Sequence, residues 1–110
     1  MKSLFSIALL ALSFNAVASD TPPSLDPKNC VFSYPKAALL NEEQGAVLVK
    51  VTVDHTGKVT SAELAKSSGS KTLDKATVSV MNTCKFTPAM KNGKAEAATT
   101  TINYEWSLSK

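Results

Sequence analysis

The chain changes its hydrophobic period at GAVLVKVTVDHTGKVTSAELAKSSGS, residues 45–70, and this stretch decides the fold. Valine occupies every second position from 47 to 53, which is typical of a strand with one buried face. A second apolar series follows at Val59, Ala62 and Leu64. Because Val59 is out of phase with the other two, we expect a β-bulge or a register shift between them. The stretch therefore predicts two neighbouring strands.

Between these strands lie Asp54, His55, Thr56 and Gly57, which have the composition of a tight turn. Gly57 can adopt a positive φ at little cost. The Asp54 carboxylate can accept hydrogen bonds from backbone N–H groups two residues further along the chain. We therefore expect a β-hairpin with a four-residue loop.

His55 is the only histidine of the chain, and a catalytic interpretation has to be weighed. Asp54 stands next to it, and Ser67, Ser68 and Ser70 follow downstream. A triad needs its base within about 3 Å of the nucleophile. The serines lie beyond the second strand, roughly 30 Å away at 3.3 Å per residue. We therefore expect no enzymatic activity, and we expect His55 to be exposed at the hairpin tip.

A short helix is predicted upstream of the hairpin. Pro35 suits a first helical turn, because its fixed φ is helical and its missing N–H has no partner there. The alanines and leucines after it favour a helix, and Gly45 is expected to end the segment. The predicted helix covers residues 35–43.

A longer amphipathic helix is predicted downstream of the hairpin. Its apolar stripe has helical spacing and runs from Leu73 to Cys84. Ser70 or Thr72 can cap its first turn, and Asp74 is favoured near the positive end of the helix dipole. We expect Cys84 on the buried face of this helix.

The last predicted element is a strand that follows a turn at Asn92 and Gly93. Its apolar face is formed by Ile102, Tyr104, Trp106 and Leu108. Tyr104 and Trp106 could form an exposed binding stripe, but their phase within this face predicts that they belong to the core. The opposite face is rich in threonine. The strand is roughly 12 residues or about 40 Å long, and we expect it to overhang the sheet.

These elements follow the order helix, strand, strand, helix, strand. The predicted fold is α+β, with a three-stranded antiparallel sheet packed on two helices in two layers. Residues 19–29 contain three prolines and are predicted to form a flexible, extended arm. The folded domain is predicted to comprise residues 30–110.

Residues 1–18 have the pattern of a secretory signal peptide. Lys2 supplies the charge, residues 5–14 form a short apolar run, and Ala16-Val17-Ala18 suits signal peptidase. An uncleaved membrane anchor is the alternative, but the run is shorter than the roughly 20 apolar residues that span a bilayer. We expect cleavage after Ala18 and export to the periplasm.

Composition excludes several classes of site. The 12 basic residues are all lysines, so the bidentate contacts that arginine makes with phosphate or guanine are unavailable and nucleic-acid binding is not expected. Cys30 and Cys84 are the only cysteines, and in an exported chain such a pair predicts a disulfide worth about 4 kcal/mol. A redox or zinc site is the alternative, but C-x-x-C is missing and one histidine is too few. We expect no cofactor, metal or small-molecule substrate.

Four motifs in order resemble the C-terminal domain of TonB energy transducers. They are YPKAAL, GAVLVKVTVDHTGKV, SSGSKTLDKAT and FTPAMKNGK, and the similarity extends over about residues 34–108. The resemblance implies a periplasmic module that captures an extended N-terminal segment of an outer-membrane TonB-dependent transporter. In that family the captured segment is added as a strand beside the last strand of the domain.

The resemblance also implies which residues bind the partner. The edge strand would be Thr99, Thr100, Thr101, Ile102, Asn103, Tyr104, Glu105 and Trp106. The segment near the Tyr-Pro motif would be Val31, Phe32, Ser33, Tyr34 and Pro35. Unlike a complete transducer, the chain has no long proline-rich linker, so we expect a receptor-binding domain exported on its own. The alternative is a structural module that forms a homodimer through the same edge.

Overall fold

The computed structural model describes residues 20–108. The predicted signal peptide and its cleavage site lie outside the described residues. Within residues 20–108, no helix is long and apolar enough to cross a membrane.

Two α-helices and seven strands make up the described part of the chain. The helices are α1, Lys36–Leu40, and α2, Lys71–Thr83. The strands are β1, Ser24–Leu25; β2, Gly45–Val53; β3, Val59–Lys66; β4, Phe86–Thr87; β5, Ala89–Lys91; β6, Lys94–Glu96; and β7, Ala98–Trp106. A short 3₁₀ helix covers Pro27–Asn29.

The main sheet has three antiparallel strands in the order β3-β2-β7. One face carries the valines of β2 at positions 47, 49, 51 and 53, and all four are fully buried. They pack with Leu73 and Met81 of α2 and with Ala38 of α1 in the hydrophobic core. The predicted α+β fold is confirmed.

The predicted bulge lies in β3, between Val59 and Ser61. Val59 pairs with Val53, but Ser61 already pairs with Thr52, so one residue of β3 is extra at this point. A second irregularity lies near the end of β3, where Leu64 pairs with Val49 but Lys66 pairs with Leu48, so one residue of β3 is again extra. β3 is therefore interrupted twice within its eight residues.

The loop between β2 and β3 is organised by the Asp54 carboxylate, as predicted. Its Oδ1 accepts hydrogen bonds from the N–H of Thr56 at 2.8 Å, the hydroxyl of Thr56 at 2.6 Å and the N–H of Lys58 at 3.0 Å. These bonds, the Thr56 hydroxyl first, lower the pKa of Asp54 to about 2. Gly57 has a φ of +94°.

α2 begins at the residue predicted to cap it. Ser70 Oγ accepts a hydrogen bond from the N–H of Leu73 at 3.1 Å. Asp74 is buried but satisfied, because its carboxylate accepts bonds from the Ser67 and Ser68 hydroxyls and from the Ser68 N–H. Burial raises the pKa of Asp74, but these hydrogen bonds outweigh it and the net pKa lies below the usual value.

α1 is shorter than predicted, and Gly45 does not end it. Glu42 adopts a φ of +52°, the N–H of Glu42 bonds to the Leu39 carbonyl at 3.1 Å, and the N–H of Glu43 bonds to the Ala38 carbonyl at 2.8 Å. This is a Schellman motif in which glutamate occupies the position usually held by glycine. Gly45 is the first residue of β2.

The last strand does not overhang the sheet, contrary to the prediction. β7 has nine residues, and all nine pair with the nine residues of β2, from Gly45 opposite Trp106 to Val53 opposite Ala98. Of the residues that were expected to lengthen it, Ala95 and Glu96 belong to β6, which pairs with β5, and residues 107–108 follow β7 outside any strand. The turn at Asn92 and Gly93 joins β5 to β6, and both residues have positive φ.

The arm that precedes Cys30 makes backbone pairings from Thr21 onward. Thr21 forms a bridge with Met90, and β1 pairs with β4. The N–H of Asp26 bonds to the carbonyl of Lys85 at 3.1 Å. The arm therefore follows the segment between α2 and β5.

Candidate functional site

β7 is an edge strand of the main sheet. Within residues 20–108 its only partner is β2. In an antiparallel pair every second residue turns its N–H and C=O away from the partner strand. The outer side of β7 therefore presents a row of backbone donors and acceptors that another strand could bind.

The two faces of β7 differ in chemistry. Its exposed side chains are polar, namely Thr99, Thr101, Asn103 and Glu105. The alternate side chains are partly or fully buried, and Trp106 is only 3% exposed. The expectation that Tyr104 and Trp106 belong to the core is confirmed, because both pack against it.

Four aromatic rings fix the carboxyl-terminal half of β7. The ring of Phe32 stacks on that of Tyr104, with centroids 3.9 Å apart and planes inclined by 10°. The indole of Trp106 meets the rings of Phe32, Tyr34 and Tyr104 edge-on, at 6.0, 5.1 and 4.9 Å. Such edge-on and stacked pairs add about 0.5–1.5 kcal/mol each beyond buried area. We call Phe32, Tyr34, Tyr104 and Trp106 the aromatic cluster.

Polar bonds anchor the cluster at its buried side. The indole N–H of Trp106 donates to Thr77 Oγ1 at 2.8 Å, and that hydroxyl donates to the Leu73 carbonyl at 2.7 Å. The Tyr34 hydroxyl donates to the backbone carbonyl of Glu43. Burial raises the pKa of Tyr34, and the negative charge of Glu43 adds to the effect. Tyr34 is therefore a neutral hydrogen-bond donor at physiological pH.

The predicted disulfide between Cys30 and Cys84 is present, with Cα atoms 4.8 Å apart. Cys84 is the C-cap of α2, and Cys30 stands two residues before Phe32. The bond therefore ties the end of α2 to the start of the segment that carries two members of the aromatic cluster.

The structure brings only part of the predicted partner-binding residues together. Phe32 and Tyr34 contact Tyr104 and Trp106, whereas Thr99 lies five residues from Tyr104, about 17 Å along the strand. Val31 is 77% exposed next to the cluster, Ser33 is exposed, and Pro35 is the N-cap of α1. The stacking of Phe32 on Tyr104 was not foreseen, since no periodic pattern links residues so far apart in the chain.

β3 forms the opposite edge of the sheet, and the two edges differ. β7 keeps one continuous register over nine pairs, but β3 is interrupted twice. Bulges and charged residues discourage pairing at a sheet edge, and β3 also carries Glu63 and Lys66 in exposed positions. β7 is therefore the edge better suited to bind another strand.

The residues of the catalytic interpretation are not brought together. His55 is exposed in the hairpin loop, and the eight residues of β3 separate that loop from Ser67, a length of about 26 Å. The Ser70 hydroxyl donates to Glu43 Oε1 at 2.6 Å and caps α2. Among residues 20–108, no group of His, Cys, Asp and Glu side chains is arranged to hold a metal ion.

Comparison with known proteins agrees with the fold and with the motifs. The sequence model of a family described as Gram-negative bacterial TonB protein C-terminal matches residues 31–108. Protein tonB2 of Pseudomonas aeruginosa is 32% identical over 75 residues, and Protein TonB of Xanthomonas campestris pv. campestris (strain B100) is 33% identical over 75 residues. These alignments cover 68% of this chain but 28% and 34% of the relatives. The chain thus matches about a third of the length of the curated relatives.

Proposed function

The chain belongs to the family of TonB C-terminal domains, and from this premise we propose that it is a periplasmic binding module that supports TonB-dependent transport. Its partner is an outer-membrane transporter, whose extended N-terminal segment is added as a strand to the outer side of β7. The predicted signal peptide accounts for its export to the periplasm.

The observation that carries this proposal is the regular edge of β7, whose outer side pairs with no strand among residues 20–108. Strand addition draws its affinity from backbone hydrogen bonds, so it needs an edge without interruptions. β7 has nine residues in one register with β2, and no bulge disturbs its outer side. β3, the other edge, is interrupted twice.

The aromatic cluster supports the proposal in a second way. An edge strand that frays must be ordered before it can accept a peptide, and that ordering lowers the affinity. Stacking of Phe32 on Tyr104 and burial of Trp106 hold the carboxyl-terminal half of β7 in place before any partner arrives. A preformed edge therefore binds with a smaller entropic cost.

The proposal is tested with synthetic peptides from the N-terminal segments of transporters encoded in the same genome. Titration into the isotope-labelled protein should shift the amide signals of β7, and those of β3 should stay in place. Shifts confined to the hairpin loop or to β3, or no binding by any of these peptides, would refute the proposal.

A matched pair of modified peptides separates strand addition from other modes of binding. The tightest nine-residue peptide is N-methylated at every second residue, in two versions with opposite phase. Only one phase places its N–H groups against β7, so one version should lose binding and the other should keep it. Equal affinities for the two versions would show that backbone pairing is not the mode of binding.

Self-association through β7 is the competing use of the same edge. Sedimentation of the protein alone, over a range of concentrations, measures it directly. A stable dimer that peptides do not dissociate would favour the structural module over the transport role.

A further inference from the structure

A groove of about 430 Å³ opens where β7 begins. Its walls come from the start of the arm, from the β5–β6 hairpin and from the first two residues of β7. The apolar part of the lining consists of Pro22, Pro23, Ala89, Met90, Ala97 and Ala98. The groove is large enough to admit an aliphatic side chain, and these residues would supply its apolar contacts.

Three hydrogen bonds hold the walls of this groove together. Thr21 and Met90 exchange two backbone bonds, each 2.9 Å long. Asp20 Oδ1 accepts a bond from the N–H of Asn92 at 3.3 Å. The arm is thus pinned to the β5–β6 hairpin, and the groove is a built feature of the described residues.

The groove is continuous with the edge proposed to bind the peptide. Ala98 and Thr99 line the groove and are also the first two residues of β7. A strand added along the whole of β7 would therefore end close to the groove.

We propose that this groove is a subsite for an apolar residue that flanks the added strand. The inference rests on the proposed function, because the groove takes its occupant from the peptide bound at β7. Charges at its rim have both signs, Asp20 and Glu96 against Lys91, so they favour no single charge on the ligand. The apolar walls instead select a leucine-like or methionine-like side chain.

The test compares extended versions of the nine-residue transporter peptide used above. One version carries Gly-Leu-Leu after its last residue and another carries Gly-Leu-Leu before its first residue. Matched controls carry Gly-Ser-Ser at the same ends. Leucines at the end that meets Ala98 should tighten binding about tenfold over the serine control, which corresponds to burying about two methylene groups.

Only one of the two ends should respond, because only one end of the added strand reaches the groove. The tighter peptide should also shift the amide signals of Thr21 and Met90 in the unmodified protein. Met90→Ala should reduce the gain from leucine, and the affinity of the unextended peptide should not change.

Failure of this inference is distinct from failure of the proposed function. If the unextended peptide does not bind, the proposed function fails. If it binds and leucine adds nothing at either end, or adds equally at both ends, the groove is not a subsite. Leucine-dependent gains without shifts at Thr21 and Met90 would also overturn the inference.

Discussion

Gly57→Ala is expected to be a severely destabilising substitution, although it adds one methyl group in a surface hairpin. Gly57 is buried and has a φ of +94°, a conformation that residues with a Cβ rarely adopt. A Cβ at this position would overlap the backbone carbonyl oxygen of Phe86. The N–H of Phe86 donates to the Gly57 carbonyl at 2.9 Å, so the two backbones cannot separate without breaking that bond.

The magnitude follows from two contributions. Placing a residue with a Cβ at a positive φ costs roughly 1–2 kcal/mol. Displacing β4 breaks the Phe86 hydrogen bond and leaves buried polar groups without partners, which costs about 1–3 kcal/mol more. We therefore expect Gly57→Ala to lower the free energy of unfolding by about 2–5 kcal/mol, a large part of a small domain's stability.

Gly93→Ala is the matched control. Gly93 has a φ of +80°, but an added Cβ would meet nothing within 4 Å, so only the backbone strain of roughly 1–2 kcal/mol should appear. Denaturant unfolding of the oxidised proteins measures both substitutions, and an unchanged m-value shows that the comparison is valid. Equal losses in the two variants would show that contact with Phe86 contributes nothing, and the reasoning would be wrong.

Three further outcomes are expected. Thr77→Val should destabilise the fold by about 1–3 kcal/mol, because the buried indole N–H of Trp106 loses its acceptor. In a double-mutant cycle with Trp106→Phe, measured by chemical denaturation, the loss in the double variant should be smaller than the sum of the two single losses. The pKa of Asp54 is about 2 in the fold against 3.8 ordinarily, so its stabilisation is present above pH 3.8 and disappears as the pH falls towards 2. Asp54→Asn should flatten the pH dependence of the free energy of unfolding between pH 2 and 3.8. An unchanged slope would refute this role of Asp54. Reducing the Cys30–Cys84 bond should cost about 4 kcal/mol by denaturation with and without a reductant, and a loss below 1 kcal/mol would show that the loop-entropy argument fails here.

Periodic patterns predicted the parts of the fold that depend on local chemistry. The alternating valines of β2 all lie in the core, and Asp54 and Gly57 shape the hairpin in the expected way. Ser70, one of the two residues predicted to cap α2, is its N-cap. Each of these features depends on residues that are close together in sequence, so the sequence displays it directly.

Two kinds of feature were missed, namely those that depend on distant partners and those that depart from a local sequence rule. β1 and β4 have two residues each, which is too few to show a hydrophobic period. They form strands only because they pair with each other. The early end of α1 depends on Glu42 at a positive φ, where the sequence rules favour glycine or asparagine. The predicted edge residues were chosen by family resemblance, and the outer side of β7 as a binding edge stays a prediction.

Peptide capture and self-association through β7 exclude each other, because both use the same outward N–H and C=O groups. An antiparallel pair of β7 strands centred on Ile102 would place Thr99 opposite Glu105 and Thr101 opposite Asn103, without like charges in register. Electrostatics therefore does not prevent self-pairing at this edge. The proposed subsite at Ala98 favours the peptide, because it adds side-chain burial to the backbone bonds of a flexible ligand. In a second copy of the chain, the residues that follow Trp106 are already held by their own domain, where the N–H of Leu108 donates to Gln44 Oε1 at 3.0 Å.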